Sequence, residues 1–507
     1  MKEFYITTPI FYVNDVPHIG HAYTKIICDS IARYLKLNGK EVLFTTGTDE
    51  HGLKVEKAAK SKGISPIDFV NKVSGNFNDL SNSLQIINTD FVRTTEDRHK
   101  IAAQAFWKKL VENDQIYLSK YEGWYSIKDE TFYQEKELIK KGDSFFTIDE
   151  EKVEWVEEES FFFKLSYWQD ELLKHYQDNP DFIKPITRRN EVISFVESGL
   201  KDLSVSRTSF NWGIKVEGSK NHIMYVWIDA LVNYLTSLNY PDLEEKQLLY
   251  WKNCYHIIGK DILKFHAVYW PAMLMAVGLP LPKTIFAHGW WTNEGKKISK
   301  SLGNTVDPYE IINKYGLDQF RFFLLREVSL GQDGDFSETA FKNRINSDLS
   351  NNLGNLIQRV LKFLIKNFNG KVPDDLDIND QNSFPLKDLY ELKNSVDMYM
   401  NNFEISKAID EIIKITASLN KFMDESEPWN SIKTNAKKAA KDLTILIEGF
   451  RILGIILQPF LPLSSKVLLD IINIDVNFRN FKFLEKKCKI GKDHSINEPK
   501  QLFPRYE

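Results

Sequence analysis

Two short clusters of this 507-residue chain carry the side chains best suited to phosphate chemistry. The first, Pro17-His18-Ile19-Gly20-His21, follows an apolar β-type run and opens a helical pattern. Free backbone N–H groups and the helix dipole favour an anion there. Gly20 would let a planar base or phosphate approach the backbone, and the imidazoles of His18 and His21 can donate to phosphate oxygens. Taken alone, the pair fits a helix-start accident or a metal site equally well. The second cluster is Lys296-Lys297-Ile298-Ser299-Lys300-Ser301-Leu302-Gly303-Asn304, loop-like and rich in lysines and hydroxyls. Phosphoryl chemistry is mostly positioning and charge stabilisation, so a movable Lys297 or Lys300 suits it; a solvated basic loop is the plainer alternative. Asp49 ends an apolar run, where a parallel strand would present its carboxylate to an ammonium group or to the next helix as a cap. No Ser-His-Asp or Cys-His arrangement stands out, so covalent catalysis is not implied.

These groups need elements to hold them. The run Phe4 to Thr8 reads as a strand, and Ile27, Ile31 and Leu35 recur every four residues as one helix face closed by Gly39. Val42 to Thr46 reads as a second strand and Gly63 closes another helix, so strand-helix-strand order implies a parallel sheet of nucleotide-binding α/β type. This character is expected over residues 1–113. Residues 114–221 are rich in aromatics and short β-like runs, with an acidic stretch from Glu150 to Glu159, and read as an insert. Alternation resumes over 222–290 with Tyr225 to Leu238, Cys254 to Gly278 and Thr284 to Ala287. The lysine cluster lies in a connecting region, 291–337. From 338 to 507 helical periodicity dominates, as in Leu349, Leu353, Leu356, Val360 and Leu364. Lys433 to Lys441 reads as a basic run on one exposed helix face.

A formal charge of −4 argues against indiscriminate binding of nucleic acid through an overall positive field, so RNA contacts would need local basic patches. Cys28, Cys254 and Cys488 are too scattered for a disulfide framework or a Cys-x-x-Cys metal clip, which fits a reducing compartment. The opening residues lack the pattern of a signal or transit peptide, and no apolar run is long enough for a membrane span. A cytoplasmic protein is expected.

Together and in this order, the two clusters resemble the HIGH and KMSKS signatures of class I aminoacyl-tRNA synthetases, with Ile298 departing from the usual methionine. Several further segments resemble the methionyl-tRNA synthetases in particular. They are Thr7-Thr8-Pro9-Ile10-Phe11-Tyr12-Val13-Asn14, Thr46-Gly47-Thr48-Asp49-Glu50-His51-Gly52, Tyr225-Val226-Trp227-Ile228-Asp229-Ala230, His256-Ile257-Ile258-Gly259-Lys260-Asp261 and His288-Gly289-Trp290. The resemblance covers nearly the whole chain. It implies a Rossmann-like (HUP-type) catalytic domain with an inserted connective-peptide domain, followed by an all-α anticodon-binding domain. It implies an enzyme that activates L-methionine with ATP and Mg2+ to the adenylate, then esterifies tRNA(Met), initiator included. His18, Gly20, His21, Gly259, Asp261 and Lys300 would contact ATP, with His18, His21, Lys297 and Lys300 carrying catalysis. Asp49 would hold the methionine ammonium, and Ile10, Tyr12, Trp227, Ala230, Leu231, Tyr234, Ile262 and His266 its side chain. A wall of aromatic and aliphatic groups suits a polarizable thioether, and a polar group near the sulfur, His266 or the Tyr12 hydroxyl, would help discriminate against leucine.

The same resemblance places Arg207 near the substrates, although surface salt bridging is its plainer role. It assigns Asn355, Arg359 and Trp429 to the anticodon. Asn355 and Arg359 are four apart on one helix face, and Pro428-Trp429 reads as a turn after Glu427; an indole can stack an unpaired base. The insert has no cysteine, so the zinc knuckle of many relatives is not expected, and without a dimerising appendix the chain is expected to be a monomer. Three rival readings remain. A sister synthetase for isoleucine, valine or leucine would need a larger insert, and one for cysteine a thiolate-rich zinc site. A catalytically silent tRNA-binding homologue would not need His18, His21, Asp49 and Lys300. A small-molecule adenylyltransferase would leave the helical region unexplained.

Overall fold

The computed structural model describes residues 2–13, 16–127, 131–298, 304–376 and 384–507, without the side chains of Tyr121, Phe132, Glu158 and Lys297. The chain forms two compact units, residues 3–17 with 42–288, and residues 18–41 with 289–507.

In the first unit the apolar runs become a six-stranded sheet in the order Asp90–Arg93, Glu41–Asp49, Glu3–Tyr12, Cys254–Gly259, Thr284–His288, Ile183–Lys184. Its registers are parallel, with Tyr5 opposite Cys254, Ile257 opposite Phe286 and Thr46 opposite Phe91. The strand order reverses between Glu3–Tyr12 and Cys254–Gly259, where a doubly wound sheet opens a crevice at its carboxyl edge. Gly47 is required by close approach, since a Cβ there would lie 2.0 Å from the Val92 carbonyl oxygen and 2.9 Å from Ile10. The last strand, only two residues long, comes from the stretch expected to be insert, and it carries no sequence signal of its own. The rest of that stretch supplies an antiparallel sheet built on Ile116–Ser126 and Lys152–Phe163, in register from Ile116 opposite Phe163 to Tyr125 opposite Glu154. Two apolar cores fill this unit, the larger burying Tyr5, Phe106, Phe163, Trp251 and Trp270 and the smaller Phe11, Val55, Phe69 and Phe77.

The second unit begins with the helix Ile19–Leu37, whose Ile27, Ile31 and Leu35 face inward as their spacing requires, and Gly39 follows it at φ 74°. A three-stranded sheet joins Lys296–Lys297, Trp291–Asn293 and Gly334–Phe336. Helices follow, among them Leu317–Arg326, Asn355–Phe368, Leu386–Met400, Ile405–Ser426 and Ala436–Ile456. The Arg321 guanidinium lies 2.7 Å from Asp29, both fully buried, and also donates to the Pro459 and Phe460 carbonyls at 3.0 and 3.2 Å. It therefore ties the first helix to the helical bundle. Removing one partner of such a buried pair typically costs about 3–5 kcal/mol, because the other charge is stranded. The basic run Lys433 to Lys441 spans two helices, Pro428–Thr434 and Ala436–Ile456. The Asn435 side chain caps the second by accepting from Lys438 N–H, and that break was hidden by the uniform charge.

Candidate active site

The carboxyl edge of the parallel sheet collects the groups expected to hold an amino acid. Ile10 and Tyr12 end one strand, Asp49 ends its neighbour, and Gly259 ends the strand across the switch, followed by Asp261 and Ile262. Trp227, Ala230 and Leu231 lie on the short helix Val226–Leu231, and Tyr234 on Asn233–Thr236. Trp227 stacks on Phe265 with centroids 3.8 Å apart and planes 7° off parallel, and the His266 ring stands edge-on to it at 6.2 Å. Sequence reading missed Phe265, although it directly precedes His266.

Hydrogen bonds fix the protonation pattern of this wall. His266 Nδ1 lies 3.0 Å from the Ile262 carbonyl oxygen, which only accepts, so Nδ1 carries the proton. Burial, opposed by the Ile262 bond and by Asp261, lowers the His266 pKa to about 4, so the ring is neutral and Nε2 is an acceptor. The Tyr234 hydroxyl, 2.7 Å away, therefore donates its proton to His266. What remains is an uncharged, aromatic, polarizable surface in which Tyr234, His266 and the Ile262 carbonyl satisfy one another. His256, also missed in the sequence, backs Tyr234 at 4.1 Å between centroids and meets the Thr7 hydroxyl at 2.8 Å.

Asp49 is nearly buried, and its carbonyl accepts from Val13 N–H at 3.1 Å. Its neighbour Glu50 is fully buried and receives Arg93 Nε at 2.6 Å, Arg93 Nη2 at 3.0 Å and the Thr48 hydroxyl at 2.8 Å. Acids inside a strand end are the signal that could have revealed this clamp. A Cβ on Gly259 would lie 2.5 Å from Asp261 Oδ1, so any other residue there would push that carboxylate aside.

The two histidines of the second unit cap their own helix. His18 is the N-cap: its Nδ1 accepts from Gly20 N–H at 3.1 Å, while His21 Nδ1 accepts from His18 N–H at 3.0 Å. Each Nδ1 must be unprotonated to accept. Burial lowers the pKa of both, for His21 with help from the charges of His18 and Lys25. Both rings are therefore neutral with the proton on Nε2, a donor suited to a phosphate oxygen. The cap leaves little room at Gly20, where a Cβ would lie 3.0 Å from the His18 ring and push it by a few tenths of an ångström. Ile19 N–H donates to the Val306 carbonyl at 3.2 Å, so the start of this helix is bonded to the segment that follows the lysine cluster. The Lys297 backbone pairs with Thr292, while Lys300 lies outside the described residues.

Arg207 corrects its surface reading. It is 2% exposed, donates to the Ser204 hydroxyl at 2.8 Å and the Ser206 carbonyl at 2.6 Å, and lies over the Tyr225 ring at 4.3 Å. In the helical region, Arg359 sits over Trp429 at 5.7 Å and pairs with Asp424 at 2.8 Å. Asn355 is exposed one turn earlier. Pro428-Trp429 starts the short helix Pro428–Thr434 instead of forming a turn, with Glu427 before it at φ 43°. Trp429 is 37% exposed, which leaves part of its indole open to a stacking partner. Among the described residues no group of three His, Cys, Asp or Glu side chains could hold a metal.

A sequence profile described as "tRNA synthetases class I (M)" matches residues 4–143 and 142–361, and one described as "Anticodon binding domain of methionyl tRNA ligase" matches 372–507. The chain belongs to the methionyl-tRNA synthetases. Its methionine–tRNA ligase relatives include that of Rickettsia felis, 52% identical over 100% of this chain and 99% of the other. That of Rhizobium meliloti is 48% identical over 100% and 98%. The fold matches a Mycobacterium tuberculosis methionyl-tRNA synthetase in complex with methionyl-adenylate at a TM-score of 0.96, with 42% identity and full coverage of both chains. The free form of a synthetase from the same organism gives 0.89, with 40% identity over 100% of this chain and 99% of the other. The architecture is accordingly a class I catalytic domain with a parallel sheet followed by a helical anticodon-binding domain, and the activity is that of a methionine–tRNA ligase. No helix among the described residues is long and apolar enough to cross a membrane.

Proposed function

We propose that this chain activates L-methionine with the magnesium complex of ATP and transfers it to the terminal ribose of tRNA(Met), initiator included, through the residues assigned above. The neutral aromatic wall supports this reading most. A thioether offers no proton and accepts hydrogen bonds weakly, and here Tyr234, His266 and the Ile262 carbonyl satisfy one another around rings that favour contact with sulfur. Asp49 takes the ammonium group, with Ile10, Tyr12, Trp227, Ala230, Leu231 and Ile262 completing the side-chain contacts.

The reaction needs no protein nucleophile. The methionine carboxylate attacks the α-phosphate of ATP and pyrophosphate leaves; the tRNA hydroxyl then attacks the acyl carbon and AMP leaves. Catalysis falls to orientation and charge. The Nε2–H groups of His18 and His21 donate to phosphate oxygens, Lys297 and Lys300 meet the charge on the departing pyrophosphate, and Gly259 and Asp261 contact the adenosine. Arg207 orients the aromatic Tyr225 beside Val226 and Trp227. Asn355, Arg359 and Trp429 read the anticodon. The working enzyme is a cytoplasmic monomer.

The test is exchange of labelled pyrophosphate into ATP with methionine, leucine, isoleucine, valine or cysteine, on wild type and Lys300→Ala. Exchange with methionine alone, largely lost in the variant, is the expected result. Exchange with another amino acid would assign a sister activity, and none with any would mark a silent homologue.

A further inference from the structure

One buried cluster of the first unit takes no part in the chemistry above. Asp229, fully buried on the helix Val226–Leu231, accepts from two imidazoles: His51 Nδ1 at 2.6 Å from Oδ2 and His99 Nε2 at 2.8 Å from Oδ1. His99 Nδ1 meets the Thr236 hydroxyl at 2.9 Å, and that hydroxyl lies 3.2 Å from the Val232 carbonyl. The His51 ring meets the edge of Trp212 at 5.6 Å, and the Trp212 indole donates to the Glu50 carbonyl at 2.6 Å. These bonds join residues 130 and 178 positions apart in sequence.

The elements they join are those that carry the methionine contacts. His51 is two residues beyond Asp49, Asp229 lies between Trp227 and Ala230, and Thr236 shares its helix with Tyr234. His99 comes from the first turn of Asp97–Glu112, packed behind them. A carboxylate in a dry interior is a poor way to gain stability, because desolvation offsets its attractions. It does impose direction: two N–H donors on two oxygens fix the angle of the helix against the strand end, which apolar packing leaves loose.

We propose that Asp229, held between His51 and His99, is a positioning residue for methionine: it locks the helix bearing Trp227 and Ala230 to the strand end bearing Asp49. The inference rests on the reading of that pocket given above. Asp229 touches no reacting atom, so its loss acts through the distance between the ammonium site and the side-chain wall. The pull of both imidazoles, acting against burial, holds the carboxyl at about 2, so it stays ionised through the working pH range.

The experiment uses the full chain in methionine-dependent pyrophosphate exchange, with thermal unfolding alongside. Asp229→Leu and His99→Leu remove the clamp. Asp229→Asn and His99→Gln keep a polar atom at the critical place, the glutamine amide standing near the former Nε2. Leucine variants that stay folded are expected to raise the methionine KM by roughly tenfold or more while the ATP KM stays within about twofold, since His99→Leu loses one charge-assisted hydrogen bond to Asp229 and Asp229→Leu loses both. The polar variants are expected to recover most of the loss. Methionine and ATP KM rising together, an unchanged methionine KM, or His99→Gln as impaired as His99→Leu would each overturn the proposal. If Asp229→Leu does not fold, the two His99 variants decide. A wild type that exchanges with methionine while the split is absent defeats this inference alone, whereas a wild type that ignores methionine defeats the pocket reading and the inference with it.

Discussion

Replacing Arg93 by Met should strand the Glu50 carboxylate. Glu50 is fully buried and Arg93 about a quarter exposed, and their bidentate contact at 2.6 and 3.0 Å is flanked by the Thr48 hydroxyl and by the Thr95 hydroxyl. Breaking a buried pair on one side costs about 3–5 kcal/mol; partial exposure of the arginine and two surviving hydroxyl donors place this case near the lower end, roughly 3 kcal/mol. For a unit of this size each kcal/mol lowers the melting temperature by about 2–4 °C, so Arg93→Met should melt roughly 6–12 °C below wild type. The double variant Arg93→Met, Glu50→Leu removes both charges and should recover about half of that loss or more, since replacing a buried pair with apolar groups is often neutral. Circular dichroism melts of wild type, both single variants and the double variant close the cycle. Because the pair is buried, the coupling should persist at high salt. A loss below about 1 kcal/mol for Arg93→Met, or a double variant no more stable than the single one, would show that Glu50 can reach water or another donor. Glu50 would then not depend on the Arg93 clamp. Methionine KM should rise in the same variant, because Asp49 immediately precedes Glu50.

Three other outcomes are expected. His18→Asn keeps an N-cap acceptor but loses the Nε2 donor, so the melting temperature should barely move while kcat for exchange falls by about 10²–10³; equal loss of stability and activity would reduce His18 to a cap. Burial depresses the folded-state pKa of His18 and His21 below the unfolded value near 6.5, so the unfolded chain takes up protons first. Their contribution to stability is present above that value and declines as pH falls below it. Exchange should therefore be insensitive to these groups from about pH 8 to 6.5, and a melting temperature that rises on acidification to about pH 5.5 would contradict their assignment. Trp429→Ala removes a stacking surface worth about 1–3 kcal/mol, so the tRNA KM should rise roughly 5- to 150-fold with exchange unchanged; a change in exchange would place Trp429 in a wider structural role.

The inner strands of the parallel sheet were legible because β-prone runs such as Phe4 to Thr8 and Thr284 to Ala287 are mostly buried, and the helices because Ile27, Ile31 and Leu35, or Leu349, Leu353 and Leu356, repeat one face. What escaped the sequence was set by partners far along the chain. Ile183–Lys184 is a strand only because Thr284–His288 offers it an edge, with Ile285 opposite Ile183. Arg207 reads as a surface cation until Tyr225 and Ser204 close over it. The widened helical turns of Ile345–Gly354 keep the same apolar spacing as an ordinary helix, so periodicity could not distinguish them. The polar residues divide in the same way. His18 and His21 are three apart and complete each other's hydrogen bonds, so local spacing contains nearly all of their geometry. His51, His99 and Asp229 have no local pattern, because the carboxylate that orders them arrives from another element of the fold. The pairing of His18 with His21 can thus be read from local spacing, whereas the contacts of His51 and His99 with Asp229 become visible only once the chain has folded.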